Sequence, residues 1–348
     1  MSLDARLQRL WYGPAWRSVL LWPLELLFRL LVGCKALLYR VALLRVHSVA
    51  APVVVVGNLT VGGTGKTPVA AWLARQLALR GHAVGVVLRG HGGTHTGAPR
   101  VVHPDDDAAV VGDEALLHAR RGPQVVVIGA DRVAAAGLAV AQGAQIVVCD
   151  DGLQHTRLAR DFEIAVVDAT RGFGNGHLLP AGPLREPAGR LETVDAVVLT
   201  ERGDESRAGR TIQPRSPLVL EARLRIGDAV NLVTAERRPL AAFAGQAAHA
   251  VAAVGHPEAF FAALRASGID LIEHPLPDHA DIPEGTLPTQ LGTTVLMTEK
   301  DAVKCRSRAQ AGWWWVDLEV EVDRNSAAQL LTVLLERTHL TGAGVRLG

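Results

Sequence analysis

The 348 residues carry 36 Lys+Arg against 35 Asp+Glu, a formal net charge of +1, and 49% hydrophobic side chains. That balance does not fit the strongly basic domain of a nucleic-acid binder, and the apolar share is too high for a disordered chain. The length suits about two domains, and the three scattered cysteines, Cys34, Cys149 and Cys305, match no metal or redox spacing and read as incidental thiols in a reducing compartment.

The first predicted element is a leucine-rich helix. Ser18 to Cys34 reads SVLLWPLELLFRLLVGC and runs on into KALLYRVALLR. Glu25 and Arg29 interrupt the apolar run, so it is not a secretory signal. It is also a poor spanning helix, because a central charge costs about 2.5–3.5 kcal/mol. Four residues apart, the two can pair on one helical face. Between Met1 and Ser48, seven Lys/Arg oppose two acids, and Trp11, Tyr12, Trp16, Trp22 and Tyr39 fall in the same stretch. A basic, Trp-bearing leucine helix lies naturally in a bilayer interface, its rings at headgroup depth and its cations near anionic lipid. The alternatives are a helix packed on the soluble core and a true span.

Apolar runs then alternate with helical patterns. Strands are predicted at 52–56, 83–88, 124–128, 145–149, 163–167 and 195–199, with helices at 67–80, 113–121 and 131–142. Gly81 and Gly143 end two of the helices. Continuous Val/Ile strands between helices predict a P-loop-type α/β core, with a mostly parallel sheet covered on both faces. A polar Pro/Gly-bearing stretch at 203–217 marks a domain boundary. The expected organisation is a membrane-associating segment at 1–48, a core at 49–212 and a smaller C-terminal α/β domain at 213–348. In that last part, strand-like runs are read at 218–224, 240–244, 271–274, 294–297 and 313–322, and helices at 257–267 and 326–337.

Two motifs carry chemistry. The first predicted strand runs into Gly57-Asn58-Leu59-Thr60-Val61-Gly62-Gly63-Thr64-Gly65-Lys66-Thr67, followed by a helix. Glycines let backbone N–H groups turn in around phosphate oxygens, and the helix N-terminus adds its positive end. Thr60, Val61, Gly62, Gly63, Thr64, Gly65, Lys66 and Thr67 are therefore the expected nucleotide-binding residues. Lys66 would reach the β- and γ-phosphates and Thr67 would ligate Mg²⁺. The usual pattern has glycine where Thr60 stands. The second motif, Ile146-Val147-Val148-Cys149-Asp150-Asp151, is an apolar strand ending in two acids, the form that supports the Mg²⁺ of bound ATP. Gln154 and His155, just beyond, are candidates to touch phosphate or water.

The run Asp150-Asp151-Gly152-Leu153-Gln154-His155, with GNLTVGGTGKTP upstream, resembles the tetraacyldisaccharide 4′-kinase family of lipid A synthesis. So do Gly112-Asp113-Glu114, Leu179 to Pro187, Pro277-Asp278-His279 and Met297 to Cys305. The resemblance implies an ATP- and Mg²⁺-dependent transfer to the 4′-hydroxyl of a tetraacylated glucosamine disaccharide 1-phosphate. The protein would work against the anionic cytoplasmic face of a bacterial inner membrane, with no nucleic acid and no stable protein partner. It also implies Asp113 as the base for the sugar hydroxyl, His279 as its dyad partner and Glu186 as a second Mg²⁺ carboxylate. On spacing alone Asp113 is equally a first-turn helix acid, His279 a loop histidine and Glu186 a surface acid. The chain departs from the family at Leu88-Arg89-Gly90-His91-Gly92-Gly93, where Ser-Arg-Gly-Tyr-Gly-Gly is common. A partitioning ATPase would carry a lysine where Val61 stands. A GTP switch would place the lysine of Thr298-Glu299-Lys300-Asp301 one residue earlier.

Overall fold

A computed structural model describes residues 3–122, 124–202, 216, 218–255, 257–278, 280–288, 290 and 292–340. Two helices, α1 (Leu3–Trp11) and α2 (Trp22–Arg40), precede the sheet, separated by a 3₁₀ turn. Next come β1 (Val53–Gly57), α3 (Lys66–Ala78), β2 (Val84–Leu88), β3 (Arg100–Val102), α4 (Ala108–Val111), α5 (Asp113–Arg121), β4 (Val125–Ile128) and α6 (Arg132–Ala141). They are followed by β5 (Ile146–Asp150), β6 (Phe162–Asp168), β7 (Ala196–Arg202), β8 (Val219–Asn231), β9 (Arg237–Arg238) and β10 (Ala247–Ala252). The chain closes with α7 (Pro257–Ala266), β11 (Asp270–Pro275), β12 (Thr294–Thr298), α8 (Glu299–Cys305), β13 (Trp313–Val322) and α9 (Arg324–Arg337).

One sheet runs β11-β10-β12-β13-β8-β7-β6-β1-β5-β2-β4-β3, with β9 beside β8. It is parallel except at β3–β4, β13–β8 and β8–β9. Strand β1 is fully buried because alternate valines serve two cores. Val54 and Val56 pack with Leu73 and Leu77 of α3, Leu116 of α5 and Leu330, Leu331 and Leu334 of α9. Val53 and Val55 pack with Ala135, Ala136 and Ala139 of α6 and with Leu178 and Leu184.

Most expected strands and helices agree with the structure to within a few residues, but β8 runs on to Asn231, β10 and α8 have no counterpart in the sequence reading, and one run changes type. The run at 240–244 forms a 3₁₀ turn, Leu240–Phe243, rather than a strand. Pro239 leads into it, and the turn buries Leu240 and Phe243, whose spacing of three suits a threefold helix. The expected boundary at residue 212 lies outside the described residues. The sheet continues past it, with Val197 opposite Val219, and α9 returns to the first core. Trp313 and Trp314 are packing residues. Trp313 joins the core beneath β12, and Trp314 meets Phe243 edge-on with centroids 5.2 Å apart.

Among the described residues no helix is long and apolar enough to cross a membrane. Instead α2 and its flanks leave a row of large apolar side chains open: Trp16, Leu20, Leu24, Leu27, Leu30 and Leu31 are all more than half exposed. The expected Glu25–Arg29 pair forms, at 3.0 Å.

Candidate active site

The loop after β1 holds its shape through its own backbone and its neighbours. Gly62 and Gly65 take φ of +114° and +83°, the left-handed region that glycine tolerates. A Cβ on Gly65 would also stand 2.6 Å from Leu224 Cδ1. Asn58 Nδ2 donates to the Gly62 carbonyl (3.3 Å), and the Thr200 hydroxyl donates to the Thr64 carbonyl (2.7 Å). Thr60, the departure from the usual pattern, is buried and bridges antiparallel to Leu184, while the Val61 N–H donates to the Pro183 carbonyl at 2.8 Å. That extended backbone does not require glycine. Helix α3 begins at Lys66, so its N-terminus opens onto the loop.

Parallel pairing of β1 with β5 sets Val56 opposite Asp150 and delivers the acidic strand end to the loop. Asp150 is 1% exposed. One of its oxygens, Oδ2, lies 3.1 Å from Nε2 of the buried His118. Burial pushes this carboxyl upward, but His118, the Lys66 charge and the Thr67 hydroxyl outweigh it and hold the pKa below the ordinary value. Its other oxygen, Oδ1, is buried with no hydrogen-bond partner. Asp151 turns the opposite way, at φ +54°, and meets Arg185 Nη1 at 3.2 Å and Lys66 Nζ at 3.9 Å.

An orphaned carboxylate oxygen beside a threonine hydroxyl is a hard donor set that fits Mg²⁺. No group of three or more His, Cys, Asp or Glu among the described residues forms an all-protein metal cage. Mg²⁺ typically takes one or two carboxylates and completes its shell with phosphate and water. In His118→Ala, Asp150 loses its orienting donor. A hydrogen bond to a charged group contributes about 1.5–3 kcal/mol, so the Mg²⁺ concentration giving half-maximal activity is expected to rise at least ~10-fold. A Mg²⁺ titration of activity measures this, and an unchanged midpoint removes His118 from that role.

The third part of the site stands on α5. Gly112, at φ +89°, brings the helix start against the His91 carbonyl, where a Cβ would sit 2.5 Å away. Asp113 is 4% exposed, and its Oδ1 accepts the Glu114 N–H at 2.9 Å, as a first-turn acid does. Its Oδ2 faces two ammonium groups of α8, Lys304 Nζ at 3.5 Å and Lys300 Nζ at 3.9 Å. Arg121 clamps Glu299, tying α5 to α8. Lys300 also reaches Asp278 Oδ1 (3.1 Å), and Lys304 donates to the Ala280 carbonyl (2.9 Å).

These contacts hold the segment around Asp278 over the phosphate loop. A Cβ on Gly255 would be 3.4 Å from Asp278 Oδ2 and 3.7 Å from the Gly63 nitrogen. His279 itself lies outside the described residues. Glu114 joins the loop to α5 electrostatically. Burial first, then the Asp150 charge, raises its pKa, while Lys66 and Lys300 oppose them.

Phosphate loop, acidic strand end and a buried Asp–Lys cluster thus meet in one place. Residues 17–336 match the family model of the tetraacyldisaccharide-1-P 4′-kinases. The chain belongs to that family. A tetraacyldisaccharide 4′-kinase of Pseudomonas paraeruginosa is 44% identical over 321 residues, 92% of this chain and 94% of the relative. The crystal structure of LpxK from Aquifex aeolicus in complex with ATP aligns with a TM-score of 0.78 at 26% identity, covering 92% of this chain and 99% of that one.

Within this 4′-kinase site the expected residues divide. Thr60 to Thr67, Asp150, Asp151 and Asp113 come together. Glu186 pairs with Arg190 at 3.4 Å, and its other charged neighbours are Glu163, Lys35 and Arg160 rather than Lys66 or Asp150. Gln154 is structural to the loop: its Nε2 donates to the Asn58 carbonyl at 3.0 Å.

His155 sits beside Arg132 and Arg160. Burial and those two charges depress its pKa to about 4. A histidine held neutral this way resists protonation in the fold, so stability falls as pH drops from about 6.5 to about 4. His155→Gln is expected to flatten that acid limb in thermal melts, whereas a wild-type slope refutes the contribution.

His118, Glu114, Arg185, Lys300 and Lys304 were not singled out by sequence reasoning. The last two offered a clue, since they are four apart on one helix within the Met297–Cys305 stretch that resembles the family.

Proposed function

We propose that this chain transfers the γ-phosphoryl group of ATP to the 4′-hydroxyl of a tetraacylated glucosamine disaccharide 1-phosphate, working at the cytoplasmic face of a bacterial inner membrane. The observation that carries the reading is the convergence of Lys66, Thr67 and Asp150 with the buried Asp113–Lys300–Lys304 cluster. Lys66 and the loop amides bind the triphosphate. Thr67 and the free oxygen of Asp150 hold Mg²⁺, which supplies charge neutralisation on the transferring group.

The sugar oxygen attacks the γ-phosphorus, the bond to the ADP oxygen breaks, and the hydroxyl proton passes to Asp113. Lys300 and Lys304, at 3.9 and 3.5 Å, hold the Asp113 carboxyl in place. His279 is proposed as its partner, whereas Glu186, paired with Arg190, is left out of the metal site. Residues 213–348 are proposed as the smaller domain, and the open apolar row of α2 as the bilayer contact, with basic side chains toward anionic lipid.

A nucleotide switch of the partitioning or metallochaperone kind makes a different prediction. Purified protein with Mg·ATP should release ADP at a rate that rises at least 100-fold when the disaccharide 1-phosphate lipid is added. Equal ADP release with and without the lipid would reject the kinase.

A further inference from the structure

Helix α2 has two unlike faces. Leu24, Leu27, Leu30 and Leu31 stand open, while Glu25 between them is 5% exposed. A helix that only had to rest on the body would use an apolar residue there, because burying a carboxylate is costly unless its oxygens are filled. Those of Glu25 are filled: Oε2 meets His177 Nδ1 at 2.6 Å, and Oε1 accepts the Leu178 N–H at 3.1 Å and Arg29 at 3.0 Å. Trp22, one turn earlier, stacks on the His177 ring at 5.4 Å.

What Glu25 grips is the turn that holds the phosphate loop. Leu184 N–H donates to the His177 carbonyl (3.1 Å) and Leu179 N–H to the Leu184 carbonyl (2.9 Å), closing residues 177–184 on themselves. The far limb of that turn lies along the loop. Leu184 bridges Thr60, the Pro183 carbonyl accepts from Val61 (2.8 Å), and Arg185 N–H donates to the Leu59 carbonyl (2.7 Å). Arg185 then reaches Asp151.

A second strut leaves the same helix ten residues on, about 15 Å along its axis. Lys35 Nζ donates to the Gln154 carbonyl at 2.9 Å, and Gln154 Nε2 donates to the Asn58 carbonyl at 3.0 Å. The loop is therefore held from α2 through Asn58 by one route and through Leu59 to Val61 by another.

We propose that Glu25 and Lys35 are positioning residues for the nucleotide site: α2 is a brace that sets the phosphate-loop geometry, as well as an apolar surface. This deepens the kinase reading and rests on it. Neither residue touches nucleotide; each acts through a backbone it holds.

The test compares Glu25→Gln, Lys35→Met and the double variant Leu27→Ser/Leu31→Ser with wild type. Each is titrated with a fluorescent ATP analogue and Mg²⁺ in the absence of lipid, then assayed with micellar disaccharide lipid. Glu25→Gln and Lys35→Met are expected to weaken nucleotide binding about 3- to 10-fold and to lower kcat. The combination Glu25→Gln/Lys35→Met should depart from the product of the single effects, since Arg185 Nη1 also reaches Gln154 Oε1 at 3.4 Å and joins the two struts. Leu27→Ser/Leu31→Ser should bind nucleotide as wild type does and raise only KM for the lipid.

Wild-type nucleotide affinity and kcat in both Glu25→Gln and Lys35→Met, with only the melting temperature lowered, would reduce the contacts to anchorage and overturn the proposal. Lys35 is a surface contact, so Lys35→Met keeps the test decisive if Glu25→Gln fails to fold. Failure of the wild-type protein to bind the analogue would instead count against the kinase reading itself.

Discussion

Asp113→Ala is expected to lower kcat about 10²- to 10⁴-fold, the usual range for losing a positioned base, with KM for Mg·ATP nearly unchanged. The carboxylate is paired with Lys300 and Lys304 of α8. It stands across from the loop on α5, so its loss should spare the nucleotide and strike the proton transfer. The fold should survive. Lys300 keeps Asp278 at 3.1 Å, and Lys304 keeps the Ala280 carbonyl at 2.9 Å and Asp301 at 3.9 Å. Neither ammonium is left buried and unpaired, the condition that makes breaking one partner of an ion pair so costly. Asp113→Asn offers the stricter comparison, because it keeps the shape and removes only the basicity. Steady-state kinetics beside a circular-dichroism melt separates the two effects, and wild-type turnover in Asp113→Asn would rule out Asp113 as the base.

Lys66→Ala acts on the other half of the reaction. Its ammonium lies at the N-terminus of α3, 3.9 Å from Asp151 and close enough to Asp150 to lower that carboxyl's pKa. With nucleotide bound it is proposed to meet the β- and γ-oxygens. Removing one preorganised charge from developing phosphoryl charge costs about 10²–10³ in kcat, and the affinity for Mg·ATP should fall as well, since the same ammonium faces the ground-state triphosphate. It also leaves two adjacent acids with less neutralisation, so Asp150 should protonate more readily. A variant that binds the ATP analogue normally and turns over at the wild-type rate would remove Lys66 from the site.

Much of the molecule could be read from one dimension. The valine runs of β1 and β5 are continuous because both faces of those strands are covered, and this gave the parallel core directly. The phosphate loop and the acidic strand end are local in sequence, so their chemistry could be named before their geometry. The 4′-kinase resemblance rested on short segments as far apart as residues 57 and 305, and the family match at 17–336 bears it out.

What could not be read was pairing across the sheet. His118 meets Asp150 from 32 residues away, and only the strand order that puts α5 on the same core as β5 makes them neighbours. Lys300 and Lys304 are four residues apart, but no helix was read there and nothing local said that their partner was Asp113. Glu25 is the sharpest case. In sequence it is a flaw in an apolar helix, answered by Arg29 four residues on. In three dimensions its main partners are His177 and the Leu178 N–H, more than 150 residues away. Thr60 illustrates the opposite. It looks like a lost glycine, yet the bridge to Leu184 needs only extended backbone there.

The most direct measurement follows one phosphoryl group. ATP carrying ¹⁸O in its terminal phosphate is incubated with the purified protein, Mg²⁺ and the tetraacylated disaccharide 1-phosphate, and the lipid is then fragmented in the mass spectrometer. A single labelled phosphate on the non-reducing glucosamine, at its 4′ oxygen, is the predicted result. An unmodified lipid with the label recovered as inorganic phosphate, or a phosphate at another oxygen, would contradict it.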